Sequence, residues 1–425
     1  MKVLVVSNLY PPDVIGGYEL GCRQVVDALR ARGHEVHVLT SAPRQPVEPV
    51  PHVRRKLVLT DIWSPYLFHY AAPITVHLDQ SASHRINAKN VHVLLEELED
   101  FQPDVVYLWL LVGVGGLGLL GCLQHLKVPW VWHLMDDVPL MLCRLGPHLI
   151  PAFVREFNRQ IRGHYLACSQ QLVDEIEASG IHLNGEIEVL PNWVQGPIPE
   201  PRAEYLEGGW LRIVSAAGQI DRRINKGIDL LIEAAARLRK QGHEQFVVDL
   251  YGHVADPYFE SLIHEHHLEN QVFLKGRRSQ TELAALYPHY DVFAFPTHAR
   301  EPFGFAPLEA AAHGCVPILA HTCGIAEWLV HGVHCLKAPR TAEAFAAHFA
   351  AILDGSVDLS AIGHRAAAVI QRDFHLEALI VRIERALARA ARQPRAGAGT
   401  PAEAYRMALL AERLARVLLH EAICA

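Results

Sequence analysis

The chain has 425 residues, half of them hydrophobic and a fifth charged, which describes a globular protein long enough for two domains and excludes a disordered chain. A formal charge of −7 excludes a global attraction to nucleic acid or to an anionic membrane. The 8 cysteines are scattered without a C-x-x-C pair, so they read as buried thiols of a reducing compartment and not as a disulfide frame or a zinc site.

The opening KVLVVSNLY is too short an apolar run for a secretory leader and has no cleavage-site flank. Residues 2–6 read as a strand, 7–17 as a loop, Tyr18 to about Arg32 as a helix closed by Gly33, and 34–40 as a second strand. Nearly continuous apolar strands in a βαβ order predict a parallel sheet covered on both faces. Gly16 and Gly17 end the first loop at a helix start, where backbone can approach a phosphate; a plain turn is the alternative.

Residues 43–90 read as irregular and proline-rich. Their aromatics Trp63, Tyr66, Phe68 and Tyr70 suit either stacking on an acceptor or ordinary packing. A helix is expected over 88–100. The segment 105–123 is uncharged and of membrane-span length, but Gly113, Gly115, Gly116, Gly118 and Gly121 crowd its second half. A strand over 105–111, a glycine turn and a small-residue helix fit it better. The same glycines spell G-x-G-x-x-G at Gly113, Gly115 and Gly118, with Asp136 and Asp137 about twenty residues on, as in a dinucleotide site. That motif follows a middle strand in a short unit, and close packing of a helix explains it equally. Residues 128–137 form another buried strand, which carries His133 to its C-terminal edge, the side on which open α/β sheets bind ligands. Residues 165–176 run from strand to helix with Ser169 as N-cap. A strand over 187–193 ends at Pro191-Asn192, and 194–209 reads as an interdomain linker.

The pattern then restarts. Strands are expected at 210–218, 244–252, 272–276, 291–297 and 316–320, with helices at 228–242, 256–268, 281–290 and near 325–330. The loop 219–227 holds Arg222, Arg223 and Lys226 just before a helix, a setting that suits a diphosphate. Two or three alanine-rich helices occupy 341–390, and 392–404 is a linker by composition. A last helix over 402–422 places Leu409, Leu410, Leu414, Val417 and Leu418 on one stripe, expected to pack on a domain; dimerisation and a membrane surface are the alternatives.

The stretch 297–314, THAREPFGFAPLEAAAHG, organises the second half. Glu301 stands in a strand-to-helix loop and Glu309 inside the helix that Gly314 closes; Pro307 fits only the first turn. Backbone N–H groups around Gly304, Phe305 and Ala306 make an anion site with a carboxylate on each side. The histidine clusters at 264–267 and 331–334 lack partner ligands at metal spacing.

With EPFGFAPLE followed by AAAHGCVPILA, PPDVIGGYE at the first helix, PNW before the linker, INKGIDLLIEAAARL and GIAEWL in this order, the chain resembles the family-4 retaining glycosyltransferases of GT-B fold (glycosyl transferases group 1). The resemblance covers about residues 1–390. It implies an α/β architecture with two Rossmann-like parallel-sheet domains facing across a cleft: 1–195 for the acceptor, 205–375 for the nucleotide-sugar, and C-terminal helices over 376–425, the first crossing back to the N-terminal domain. The implied activity is transfer of a hexosyl group from a UDP- or GDP-sugar to an acceptor hydroxyl, with retention, without metal and without a cofactor beyond the donor. By the same resemblance Glu301, Lys226 and His133 serve the chemistry, Glu301 at the sugar hydroxyls and His133 lining the sugar site. Glu309 takes the ribose; Phe303, Gly304, Phe305, Gly16, Gly17, Asn192 and Arg222 or Arg223 complete the donor site. The two glutamates then form a donor clamp instead of a general acid/base pair. Gln219 stands where the family usually has an arginine, and this leaves open a sugar-nucleotide-binding partner protein without catalysis; the G-x-G-x-x-G leaves open a dinucleotide-dependent oxidoreductase. The acceptor (a glycan, a lipid-linked sugar or a small molecule) and the oligomeric state are left open. The expected location is cytoplasmic, with peripheral membrane contact for a lipid acceptor, and no nucleic-acid partner is expected.

Overall fold

The computed structural model describes residues 1–60, 83–143, 152–196, 199, 202, 204–222, 226–297, 300–394 and 397–424. Arg223 and the aromatics Trp63, Tyr66, Phe68 and Tyr70 lie outside them. The chain divides into two compact units, Met1–Leu190 with Ile380–Ala425, and Pro191–Leu379.

The first unit runs β1 (Lys2–Val6), α1 (Gly17–Ala31), β2 (Glu35–Ser41), β3 (Val53–Leu57), α2 (Ala88–Phe101), β4 (Val105–Leu108), α3 (Gly116–His125), β5 (Trp130–Leu134), α4 (Val138–Cys143), α5 (Ala152–Gln160), β6 (Arg162–Ala167), α6 (Gln170–Ala178) and β7 (Asn184–Val189). Its seven described strands are parallel in the order β3-β2-β1-β4-β5-β6-β7. The central strands β4 and β5 are buried along their whole length, which is why they read as unbroken apolar runs. Each wholly buried Val or Leu contributes about 1.5–3 kcal/mol relative to exposure. The strand order reverses between β1 and β4, so the loops that follow them, 7–16 and 109–115, flank the topological switch point.

Within the region expected to be irregular, VRRKL forms the edge strand β3. Only its last residue is buried, so it lacks the apolar signature of its neighbours. The glycine run is explained by packing. Gly115 caps α3 at φ +76°, and a Cβ there would stand 2.4 Å from the Asn87 backbone nitrogen. A Cβ on Gly116 would meet Leu111 and Leu142, and one on Gly118 would meet Ile86.

Two helices complete this unit, α14 (Leu376–Ala391), from Ile380 onward, and α15 (Pro401–Cys424). Arg382 and Arg389 of α14 pair with Glu188 at 2.9 and 2.8 Å, and Glu384 accepts from Arg32 at 2.7 Å. Helix α15 packs on α2 and α3, and the expected stripe is covered only in part, Leu409 and Leu418 being half-buried. Ala404, Ala408 and Ala415 are buried, while Leu410, Leu414 and Val417 are exposed.

The second unit runs β8 (Leu211–Ile220), α7 (Ile228–Lys240), β9 (Phe246–Val254), α8 (Tyr258–Glu265), β10 (Val272–Gly276), α9 (Gln280–Leu286), β11 (Val292–Phe295), α10 (Phe305–Ala312), β12 (Val316–Ala320), α11 (Ile325–Trp328), β13 (Leu336–Ala338), α12 (Ala342–Leu353) and α13 (Leu359–Asp373). The six described strands are parallel in the order β10-β9-β8-β11-β12-β13. The reversal falls between β8 and β11. Loops 75 residues apart in sequence, after β8 and after β11, therefore emerge side by side. Among the described residues no helix is long and apolar enough to cross a membrane.

Candidate active site

The switch point of the second unit gathers the expected donor residues. Helix α10 starts at Phe305, with Gly304 as N-cap at φ +109°. A Cβ on Gly304 would lie 2.7 Å from the Phe295 ring, so this turn accepts only glycine. The first N–H groups of α10 have no partner within the helix and carry its positive dipole end. Phe303 is buried, and its carbonyl accepts from Ile325 N at 3.0 Å. Gly324 N donates to the Glu301 carbonyl at 2.9 Å, and Glu301 N to the Thr322 carbonyl at 3.1 Å. The GIAEWL segment is thus the backbone support of the EPF turn.

Glu301 Oε2 receives Lys226 Nζ at 2.7 Å and the Thr297 hydroxyl at 3.1 Å. The sheet order brings Lys226 there: it precedes α7, whose loop lies beside that of β11. Glu309 sits farther along α10, and its Oε1 accepts from the Gln280 amide. Burial pushes the Glu309 carboxyl up to about 7, against the opposing pull of Gln280. Both glutamates and Lys226 thus belong to one end of one sheet.

Arg222 is engaged elsewhere. Its Nε pairs with Asp256 at 2.7 Å, and its guanidinium lies 4.5 Å from the Tyr258 ring centroid. Strand β8 extends to Ile220, pairing Gln219 with His253, so the departure from the family pattern is built into the strand itself. An open depression lined by Asp221, Arg222, Ala255 and Asp256 lies at the ends of β8 and β9.

In the first unit Gly16 caps α1, but its N–H is already taken: Glu19 Oε2 accepts from Gly16 N at 2.9 Å and from Ile15 N at 3.2 Å. Gly16 is exposed, with open space where a Cβ would stand. The next residue after Gly17, Tyr18, reaches the end of β5, where its hydroxyl accepts from Met135 N at 2.6 Å and Asp136 N at 3.2 Å. His133 is wholly buried. Its Nδ1 lies 2.6 Å from the Tyr107 hydroxyl, and its ring stacks on Trp109 at 4.6 Å. Burial lowers its pKa to about 3, so the imidazole is neutral at physiological pH. Asn192 is buried too, and its Oδ1 has no hydrogen-bond partner among the described residues.

Sequence reading missed Glu19, Tyr18, Thr297 and Gln280. Only Glu19 carries a local signal, a glutamate three residues past the N-cap. Among the described residues no group of three or more His, Cys, Asp and Glu side chains is placed to hold a metal ion.

Two family models match. One, described as Glycosyltransferase Family 4, covers residues 15–195, and the other, Glycosyl transferases group 1, covers residues 209–368. A glycogen synthase of Mycobacterium tuberculosis is 28% identical over 393 residues, 88% of this chain and 90% of that protein. An uncharacterized glycosyltransferase of Methanocaldococcus jannaschii is 21% identical over 367 residues, 79% of this chain and 84% of that one. Among solved structures, the sucrose-phosphate synthase of Thermosynechococcus elongatus superposes with a TM-score of 0.68 at 20% identity, covering 91% of this chain and 98% of that chain. HepE of Anabaena in complex with UDP gives 0.65 at 19% identity, covering 92% and 100%. These structural likenesses speak for the fold. With both halves matched in order and two parallel-sheet units in place, the chain belongs to the family-4 type glycosyltransferases of GT-B fold.

Proposed function

We propose that the protein is a retaining hexosyltransferase that moves a sugar from a UDP- or GDP-sugar to an acceptor hydroxyl without a metal ion. The observation that carries this reading is the Glu301 carboxylate, held by Lys226 and Thr297 at the N-terminus of α10, with Glu309 farther along the same helix. Glu301 orients the sugar through its hydroxyls. Glu309 accepts from the ribose once Gln280 yields. The N–H groups at Phe303, Gly304 and Phe305 and the Lys226 ammonium take the diphosphate, whose charge grows as the glycosidic bond breaks. The departing phosphate accepts the proton of the attacking hydroxyl on the same face, so no side chain serves as general base and catalysis is positioning plus electrostatics. His133, neutral and bound to Tyr107, shapes the end of β5 from behind, and Tyr18 pins the following turn. HepE, a structural neighbour solved with UDP-glucose, supports a uridine donor. The described cysteines are buried thiols, in keeping with a cytoplasmic location.

The experiment is a panel of UDP- and GDP-sugars with release of nucleoside diphosphate as readout. Turnover of one donor, lost in Glu301→Gln, supports the reading. No turnover of any donor, with unchanged binding in Glu301→Gln, rejects it. One observation favours a second reading, a sugar-nucleotide-binding protein without catalysis: Gln219 replaces the usual arginine, and Arg222 is committed to Asp256 and Tyr258. Tight donor binding without turnover across an acceptor panel supports that alternative.

A further inference from the structure

Thr297 is wholly buried and sits at φ +41°, a left-handed conformation that a β-branched residue adopts only when its surroundings impose it. Two elements meet at its carbonyl. Arg340, in the loop between β13 and α12, donates from Nε to the Thr297 carbonyl at 2.8 Å. From the other direction, Gly227 caps α7 at φ +74°, and a Cβ on it would lie 3.0 Å from that same carbonyl oxygen and 2.8 Å from Pro296. The Thr297 side chain, in turn, donates to Glu301 Oε2 at 3.1 Å. A guanidinium 39 positions beyond Glu301 in sequence is therefore linked to its carboxylate through one residue whose backbone is held off its preferred conformation.

We propose that Arg340 is a positioning residue for Glu301. It fixes the left-handed backbone of Thr297, and that backbone aims the hydroxyl that orients the carboxylate. The proposal rests on the donor-clamp reading above, in which Glu301 serves the sugar and not the nucleotide. Loss of Arg340 then weakens recognition of the sugar portion while sparing the nucleotide. A general structural role weakens both together.

The test is calorimetric titration of the full chain with UDP and UDP-glucose, and in parallel with GDP and GDP-mannose. The variants are Arg340→Ala, Arg340→Lys, Thr297→Ser and Thr297→Val. In Arg340→Ala the sugar-nucleotide Kd rises about tenfold, the effect of a lost charge-assisted hydrogen bond, while the Kd of the bare nucleotide stays within about twofold. Arg340→Lys recovers part of the loss, because an ammonium still offers a donor. Thr297→Ser, which keeps the hydroxyl, stays near the wild type, and Thr297→Val matches Arg340→Ala. A wild type that binds while Arg340→Ala shifts both ligands equally, or shifts neither, overturns this proposal alone. A wild type that binds neither pair overturns the donor reading as well.

Discussion

Replacing Glu309 by glutamine stabilises the free protein at alkaline pH and not at acid pH. Glu309 is partly open to solvent, yet burial raises the pKa of its carboxyl from 4.5 to about 7, against the opposing hydrogen bond from Gln280. Between those values the folded protein keeps the proton that the unfolded chain has released. Stability therefore falls as pH rises through that window, and the loss is complete above about pH 7. At 1.36 kcal/mol per pH unit, a rise from 4.5 to about 7 bounds the loss at about 3 kcal/mol. Glutamine carries no charge at any pH, and its side-chain oxygen still accepts from Gln280. The assay is urea unfolding of wild type and Glu309→Gln at pH 5.5 and 8. The advantage of the variant grows by about 1–2 kcal/mol between the two pH values. An advantage that stays constant or shrinks refutes the assigned burial of the carboxyl. The same substitution weakens nucleotide binding, an exchange of stability for function common at ligand sites.

Tyr18→Phe leaves the backbone N–H groups of Met135 and Asp136 without their acceptor, and urea unfolding should show a loss of about 1–3 kcal/mol. With its pKa lowered to about 3, His133 stays neutral across the neutral range, and its ring protons should show no titration by NMR between pH 5 and 8. Gly115→Ala combines a left-handed φ of +76° with a contact 2.4 Å from the Asn87 backbone; the cost exceeds about 2 kcal/mol and shows as a lowered Tm. On α15, Leu410→Ser and Leu414→Ser should change stability by no more than about 0.5 kcal/mol, while Ala408→Leu overpacks the contact with α2 and α3 and costs about 1–3 kcal/mol.

The buried parallel strands were legible because both of their faces are covered, which leaves continuous apolar runs such as VVYL and VFAF. The Ser169 cap, the turn at Gly304 and the closing Gly314 were legible because capping and positive φ are local requirements. Strand β3 escaped because an edge position tolerates Arg54, Arg55 and Lys56. The face of α15 was read only in part, because hydrophobicity ranks leucine above alanine: Ala404, Ala408 and Ala415 are buried, while of the stripe only Leu409 and Leu418 are half-covered. Within the candidate site, Glu301, Glu309 and Lys226 could be named from local pattern together with the family resemblance, yet their partners could not. Thr297 depends on an unusual backbone angle, Gln280 lies 29 positions from Glu309, and Arg340 lies 43 from Thr297. Such contacts are created by strand order, which brings β8, β11 and the loops beyond them to one end of the sheet.

The central claim is donor cleavage with retention at the α10 clamp. Time-resolved proton NMR of the protein with α-linked UDP- and GDP-sugars reads the anomeric configuration of the first sugar released or transferred. The account predicts nucleoside diphosphate release with the α-anomer appearing first, abolished by Glu301→Gln and strongly slowed by Lys226→Ala. A first-formed β-anomer, or release that survives Glu301→Gln unchanged, contradicts it.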